Sequence, residues 1–363
     1  MKHKNCPEYN DFCYHKAMSD LLDDILRPFD FAFPPELIAQ SPASPRDSAR
    51  LVVFNRASKK TDWLTFDTIG NFLPPHSILV LNQTKVIPAR LRLARSTGGK
   101  VDVLYLGIAN DCIRVFANKK LRDNEVLQLN DCISFTVIGR NEKEWLIRPS
   151  CPLDELPSVL EEFGVMPLPP YIKHSPLTRD ELKEEYQSVF AKEPGSIAAP
   201  TASLHFTKEL LDQLQQSGIH IAYVTLHVHL GTFSPLTLEQ WETGTLHAEY
   251  YSIDEENKKI IERAKSDGKK IIAVGTTAAR TLESAADEAG KIARPSGTTQ
   301  LFIRDGYTFR MVDGLITNFH VPQSSLLMLV SAFAGREEIL TIYREAIERK
   351  FRLFSFGDAM LIV

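Results

Sequence analysis

Between about Lys85 and Ser150 the chain carries six short apolar runs, "ARLRLA", "GKVDVLYLGI", "CIRVFA", "EVLQL", "CISFTVIG" and "EWLIRP", separated by Gly, Asn or Asp. None shows a helical period, and a string of short strands joined by turn residues can hide its edges only by closing on itself. The segment therefore predicts a small antiparallel β-barrel. On both sides the texture is different. Residues 19–82 alternate "LIAQ", "RLVVF" and "SILVLN" with prolines, too little material to fold alone. Beyond residue 151 come helical patterns ("LDELPSVLEEFG", "TKELLDQLQQSG", "DEENKKIIERAKSDG") alternating with strand patterns ("IHIAYVTLHV", "KKIIAV"). The expected fold class is thus α/β: a larger mixed α/β domain, 19–84 and 151–363, interrupted by a small antiparallel β-barrel domain at 85–150. Residues 1–18 are polar and read as a disordered extension, with Met18 as an alternative start.

A length of 363 residues with 44% hydrophobic content supports a sizeable core. The apolar run "SLLMLVSAFAG" (325–335) is too short to span a bilayer, and the N-terminus lacks the apolar core of a secretory signal. No membrane association is expected, and a cytoplasmic location is. Five cysteines without a C-x-x-C pair fit reduced thiols, and Cys6 and Cys13 beside His3 and His15 are too irregularly spaced for a metal site. The net charge of −4 argues against indiscriminate nucleic-acid binding. Yet Thr68–Val101 holds no Asp or Glu while carrying Lys85, Arg90, Arg92, Arg95 and Lys100. Such a stretch is either attractive to a phosphate backbone or a solvated strand face whose counter-charges come from elsewhere in the fold.

Several segments are too particular for scaffolding alone. In "VTLHVHLGTF" (224–233), His227 and His229 stand two apart in a strand pattern, so both rings leave one face, as in some metal sites. "PLPPYIK" presents Tyr171 after a rigid extended approach, and "SIAAPTASLHFT" packs small residues before His205 and Phe206. In "AVGTTAAR" the strand–turn–helix step places Thr276, Thr277 and Arg280 where open α/β sheets bind ligands, with Thr277 as the helix cap. The single glycine matches neither the dinucleotide fingerprint nor the P-loop. "TNFHVPQSS" adds Asn318 and His320, with Ser324 or Ser325 as a cap, and "FSFGDAML" adds Asp358.

Together with "FDFAFPPELIAQSP", "RDSARLVV", "LVLNQTKVIPARL", "GGKVDVL", "YQSVFA", "LHAEYY" and "TNFHVPQSSLLMLVSAFAG", these segments resemble the S-adenosylmethionine:tRNA ribosyltransferase-isomerase family of queuosine biosynthesis, collinearly from Phe29 to Leu361. The resemblance implies an α/β domain with an inserted barrel. It also implies transfer and isomerisation of the ribosyl moiety of S-adenosylmethionine onto 7-aminomethyl-7-deazaguanine at the tRNA wobble position, giving epoxyqueuosine, adenine and methionine. The family pattern usually has Gly at the position of His229, so the H-x-H pair is a local departure and no metal is expected. Ser203 and Gly244 depart too, from a usual Gly and a frequent His. The chemistry needs a base beside the sulfonium, for which His205 and His227 are the candidates, with Glu249 and Asp313 to orient an imidazole or offset the cationic sulfur. Thr276, Thr277 and Arg280 suit the carboxylate or ribose of the donor, while Asn318, His320 and Asp358 join the binding set. Tyr171 and Phe206 suit stacking on adenine or the modified base, and Arg90, Arg92 and Arg95 suit the tRNA backbone. The expected partners are S-adenosylmethionine and tRNA carrying the deazaguanine precursor, met by a monomer with no cofactor beyond that substrate.

Overall fold

In the computed structural model, residues 20–141, 144–228 and 235–363 are described. His229, half of the H-x-H pair, and the 1–18 extension lie outside the described residues. The chain divides into two units. One takes the chain up to Asn82, Pro200–Leu226 and the described residues from 235 onward. The other takes Gln83–Ala199 with His227 and Val228.

The first unit begins with strands β1 (Arg50–Asn55), β2 (Lys60–Thr65) and β3 (Ile78–Asn82). The chain then leaves for the second unit through β4 (Thr84–Val86), β5 (Arg90–Arg95), β6 (Lys100–Ala109), β7 (Cys112–Ala117), β8 (Val126–Gln128), β9 (Ser134–Asn141), β10 (Glu144–Pro149) and β11 (Glu193–Ser196). It returns as β12 (His220–Leu226), β13 (Thr245–Ser252), β14 (Ile271–Val274), β15 (Ser296–Leu301), β16 (Gly314–Asn318) and β17 (Ala359–Ile362).

Strands β5 to β10 form the expected closed antiparallel barrel, in the order β10-β7-β6-β5-β8-β9. Its interior follows from period-two alternation: in "RLRLAR" Leu91 and Leu93 are buried while Arg92 points out. Val101, Val103, Ile113, Val115, Phe135 and Ile147 fill the same core. A helix at Leu156–Phe163 adds Leu156 and Leu160, four apart on one face, to that core. Residues 151–199, expected from the sequence to belong to the α/β domain, group by compactness with the barrel for this reason, and because β11 pairs in parallel with β4.

The first unit is built on a nine-stranded mixed sheet, β15-β13-β12-β3-β14-β16-β17-β1-β2. Its centre, β12-β3-β14-β16, is parallel throughout, and β3 and β14 are buried at every position. Continuous apolar strands such as "ILVL" and "IIAV" belong in such a doubly covered position. The "VDGLITN" run yields only a five-residue strand, β16. The loop before it is held instead by Glu283, whose carboxylate accepts from Tyr307 Oη (3.0 Å) and from the backbone N–H groups of Arg310, Met311 and Val312 at 2.9–3.0 Å. Glu283 is 3% exposed, so removing its oxygens strands several donors away from water. Glu283→Ala is expected to lower unfolding free energy by about 3 kcal/mol in a urea titration, whereas an exposed control, Glu337→Ala, should change it little.

Candidate functional site

The parallel centre sets the geometry. Asn82, Leu226, Val274 and Asn318 are the last residues of β3, β12, β14 and β16, and all four stand at one edge of the sheet. Asn82 joins two of these ends: its amide donates to Leu226 O at 3.0 Å and accepts from Leu226 N at 3.1 Å. Because β12 lies on one side of β3 and β14 on the other, this edge is a topological switch point, the usual place for a ligand crevice.

His205 lies at this edge, closing a short 3-10 segment, Thr201–His205, that touches β16. Its Nε2 is 3.1 Å from Asn318 Oδ1. The Asn318 amide is oriented by its other end, where Nδ2 donates to Phe354 O (2.9 Å) and Ser355 O (3.2 Å). The oxygen therefore faces the imidazole, Nε2 carries the proton, and Nδ1 holds the lone pair. Phe354 sits at φ 69°, a region costly for an aromatic residue, and its carbonyl is one that fixes Asn318. Phe66 packs on the ring at 5.0 Å. Burial holds His205 down to about 4, with the hydrogen bond to Asn318 and the nearby Asp358 acting in the other direction. The imidazole is thus neutral at neutral pH. A helix comes directly after "HFT", as the sequence suggests: Thr207 caps it, accepting from Leu210 N at 3.1 Å, and donates to Asp47 at 2.9 Å.

The helix after β14 starts at Gly275, earlier than the sequence pattern suggests, and runs to Ala285. Thr277 does not cap it: no side chain caps this N-terminus, Thr277 lies in the first turn, and its Oγ1 is buried without a partner among the described residues. Gly275 makes the start possible, at φ +86°, with Ala202 Cβ 3.7 Å from where a side chain would begin. The result is a helix N-terminus with free N–H groups beside the His205 segment.

One turn on, Arg280 and Glu249 form a buried ion pair, at 5% and 3% exposure. Arg280 Nε also donates to Leu301 O at 3.1 Å. The pair lines a cleft of about 480 Å³ empty volume, partly open to solvent, to which Gln240, His247 and Ser325 also contribute. Gln240 and the role of Ser325 were invisible in the sequence because no local pattern marks them. The helix cap there is Ser324, which accepts from Leu327 N.

Other expected residues lie elsewhere. Asp313 precedes the first residue of β16, so it stands five positions of extended chain from Asn318, at the opposite edge of the sheet. There it accepts from Ile271 N (3.0 Å) and Lys270 Nζ (3.2 Å), a structural role. Phe206 is fully buried, edge-on to Phe66 at 5.0 Å, and offers no face for stacking. Asp358, 1% exposed, is held by Arg50 Nε (3.1 Å) and Arg352 N (2.8 Å) and acts on His205 only through its field. His320 Nδ1 is buried without a partner among the described residues, burial lowers its pKa to about 3, and its backbone N–H donates to Tyr343 Oη at 2.8 Å. Ser203, fully buried, also has a hydroxyl without a partner among the described residues, and Gly244 ends the helix Leu238–Thr243.

In the second unit, His227 is not part of the strand. Strand β12 ends at Leu226, where Asn82 takes up its backbone groups, and the next residues bond within the second unit through Val228 N to Ser196 Oγ at 2.9 Å. His227 Nδ1 is 2.8 Å from Thr84 Oγ1, and its ring lies against Gly195, where a Cβ would stand 3.1 Å from Cε1 and Nε2. Thr84 lies in the "LVLNQTKVIPARL" segment without being singled out there, and Gly195 carried no signal in the sequence. Tyr171 is half-buried in the turn after Pro169. The basic stretch finds its counter-charges on neighbouring strands and loops: Arg92 pairs with Asp102 at 2.8 Å, which raises its pKa, and Arg95 with Glu125 at 3.3 Å. Arg90 Nη2 reaches Leu168 O at 3.4 Å. Among the described residues no cluster of three or more His, Cys, Asp or Glu could hold a metal, and no helix is long and apolar enough to cross a membrane.

A neutral buried histidine has a sign-definite consequence. The unfolded chain binds a proton near 6.5 and folded His205 near 4, so its contribution is present above 6.5 and is lost as pH falls towards 4. Between pH 7 and pH 5 this costs about 2 kcal/mol. His205→Gln, which can still donate to Asn318, is expected to flatten the fall in stability over that interval, measured by urea unfolding at both pH values.

The family described as "Queuosine biosynthesis protein" matches residues 26–362. A curated S-adenosylmethionine:tRNA ribosyltransferase-isomerase from Trichlorobacter lovleyi is 43% identical, over 93% of this chain and 100% of its own length. One of the same name from Desulforamulus reducens is 45% identical, over 93% and 99%. A crystal structure of S-adenosylmethionine tRNA ribosyltransferase from Thermotoga maritima is similar with a TM-score of 0.54 and 33% identity, covering 93% of this chain and 100% of that one. With both units inside the matched span, the chain belongs to the queuosine biosynthesis protein family.

Proposed function

We infer that the chain is an S-adenosylmethionine:tRNA ribosyltransferase-isomerase. It moves the ribosyl part of S-adenosylmethionine onto the aminomethyl group of a 7-deazaguanine at the wobble position of a tRNA anticodon, isomerises it to give epoxyqueuosine, and releases adenine and methionine. What carries this reading is the similarity to relatives of that name along practically their whole length. The geometry of the first unit supports it independently, through a neutral base nitrogen and an uncapped helix N-terminus at one sheet edge.

His205 is the general base of this reading. Its Nδ1 is unprotonated throughout the physiological range, and a weak base suffices because the sulfonium acidifies the carbon beside it. Asn318 positions the ring through Nε2. Thr276 and Thr277, in the first turn of the helix from Gly275, receive the carboxylate of the methionine portion through the helix N-terminus. Arg90, Arg92 and Arg95 meet the tRNA backbone. The enzyme works as a monomer in the cytoplasm, where its tRNA substrate is, and needs no metal.

Incubation with S-adenosylmethionine and tRNA carrying the deazaguanine precursor is expected to give the sugar-derived mass addition on the tRNA and free adenine, both undiminished by a chelator. If neither product forms, the reading fails. His205→Gln should lower kcat by about 10²–10⁴-fold with little change in KM, and an unchanged kcat would remove His205 from the base role. For tRNA binding, replacing Arg90, Arg92 and Arg95 together by Ala should reduce the slope of log affinity against log salt by about 2–3, at roughly 0.7–0.9 per lost phosphate contact. An unchanged slope would take these arginines out of the interface.

A further inference from the structure

Arg280 is the most enclosed cation of the first unit's cleft, and its donors are unevenly used. Nε is bonded to Leu301 O and Nη1 to Glu249, whereas Nη2 is buried with no hydrogen-bond partner among the described residues. A buried guanidinium N–H left unpaired is costly, and a ligand acceptor that enters the cleft would recover that cost.

Two features decide what that acceptor belongs to. Glu249 already balances the guanidinium, so the pair has no net charge and offers a carboxylate little attraction to offset its desolvation. Beside the polar Gln240, His247 and Ser325, the cleft is lined by the aliphatic Leu236, Leu246, Ile303, Leu326 and Leu329, which give a flat aromatic ring an apolar surface to rest on. We propose that this cleft is the subsite for the purine of the donor nucleoside, with Arg280 Nη2 donating to a ring nitrogen of adenine between aliphatic walls. Arg280 is then the residue that reads the base, and the methionine carboxylate is left to the helix N-terminus at Gly275. The proposal rests on the reading of S-adenosylmethionine as substrate and specifies which part of that molecule the cleft takes.

The test is titration calorimetry on the full chain with adenine and with methionine as separate probes, alongside S-adenosylmethionine. Arg280→Lys keeps a cation opposite Glu249, but its single nitrogen cannot meet Glu249 and stand at the position of Nη2 at once. Adenine binding is expected to weaken about tenfold in Arg280→Lys, with methionine binding unchanged and thermal unfolding close to the parent's. The opposite pattern, methionine weakened and adenine unaffected, overturns the assignment, as does a parent protein that takes up S-adenosylmethionine yet shows no adenine binding. Should the lysine variant fail to fold, 1-, 3- and 7-deazaadenine are compared on the parent protein. At least one is expected to bind about tenfold more weakly than adenine, and equal binding of all of them refutes the proposal. A parent that makes product but fails these tests defeats only this inference, whereas one that neither binds S-adenosylmethionine nor modifies tRNA defeats the functional reading itself.

Discussion

The first unit depends on the parallel pairing of β12, β3, β14 and β16. Parallel strands must all end at the same edge, so the chain has no choice about where Asn82, Val274 and Asn318 finish. Everything chemical in this unit stems from that edge: the helix that starts straight after Val274, the segment carrying His205, and the amide of Asn318 that receives the imidazole. The same rule excludes Asp313, which sits where β16 begins.

Buried polar groups in the unit fall into two kinds. Glu283, Asp358 and the Asn318 amide are each held by several partners and make the backbone around them rigid. Arg280 Nη2 and Thr277 Oγ1 are buried and, among the described residues, unpartnered within one helix that starts where the strands end. The first kind fixes the shape of the sheet edge, and the second is where the proposed purine subsite and the helix N-terminus lie.

The barrel was legible because inward and outward residues alternate strictly, and "RLRLAR" could be read by eye. The parallel core was legible from its unbroken apolar strands. The misleading features were those decided by partners distant in sequence. The strand "IHIAYVTLHV" looks continuous through His227, but Asn82, 144 residues away, closes it at Leu226. Thr277 has the identity of a cap, yet Gly275 lets the helix begin three residues before the Ala278 start that such a cap would give. Glu249 and Arg280 were given separate tasks because 31 residues separate them, and only the fold makes them a pair. Phe206 and His205 are neighbours in the chain, but the backbone turns one ring into the core and leaves the other beside Asn318. The arginines of β5 were read without Asp102 and Glu125, which the adjoining strand and loop supply.

Strand β17 lies between β16 and β1, pairing with one antiparallel and the other parallel, and all four of its residues are buried. It is the last of the nine to leave the ribosome, yet it is what connects β1 and β2, among the first, to the rest of the sheet. The barrel, whose pairings join segments close in sequence, can assemble during synthesis, but the large sheet must keep a central gap open until translation has passed residue 362. During that wait the backbone edges of β1 and β16 that face the gap stand unpaired, so this unit rather than the barrel is the one open to wrong pairing as it is born.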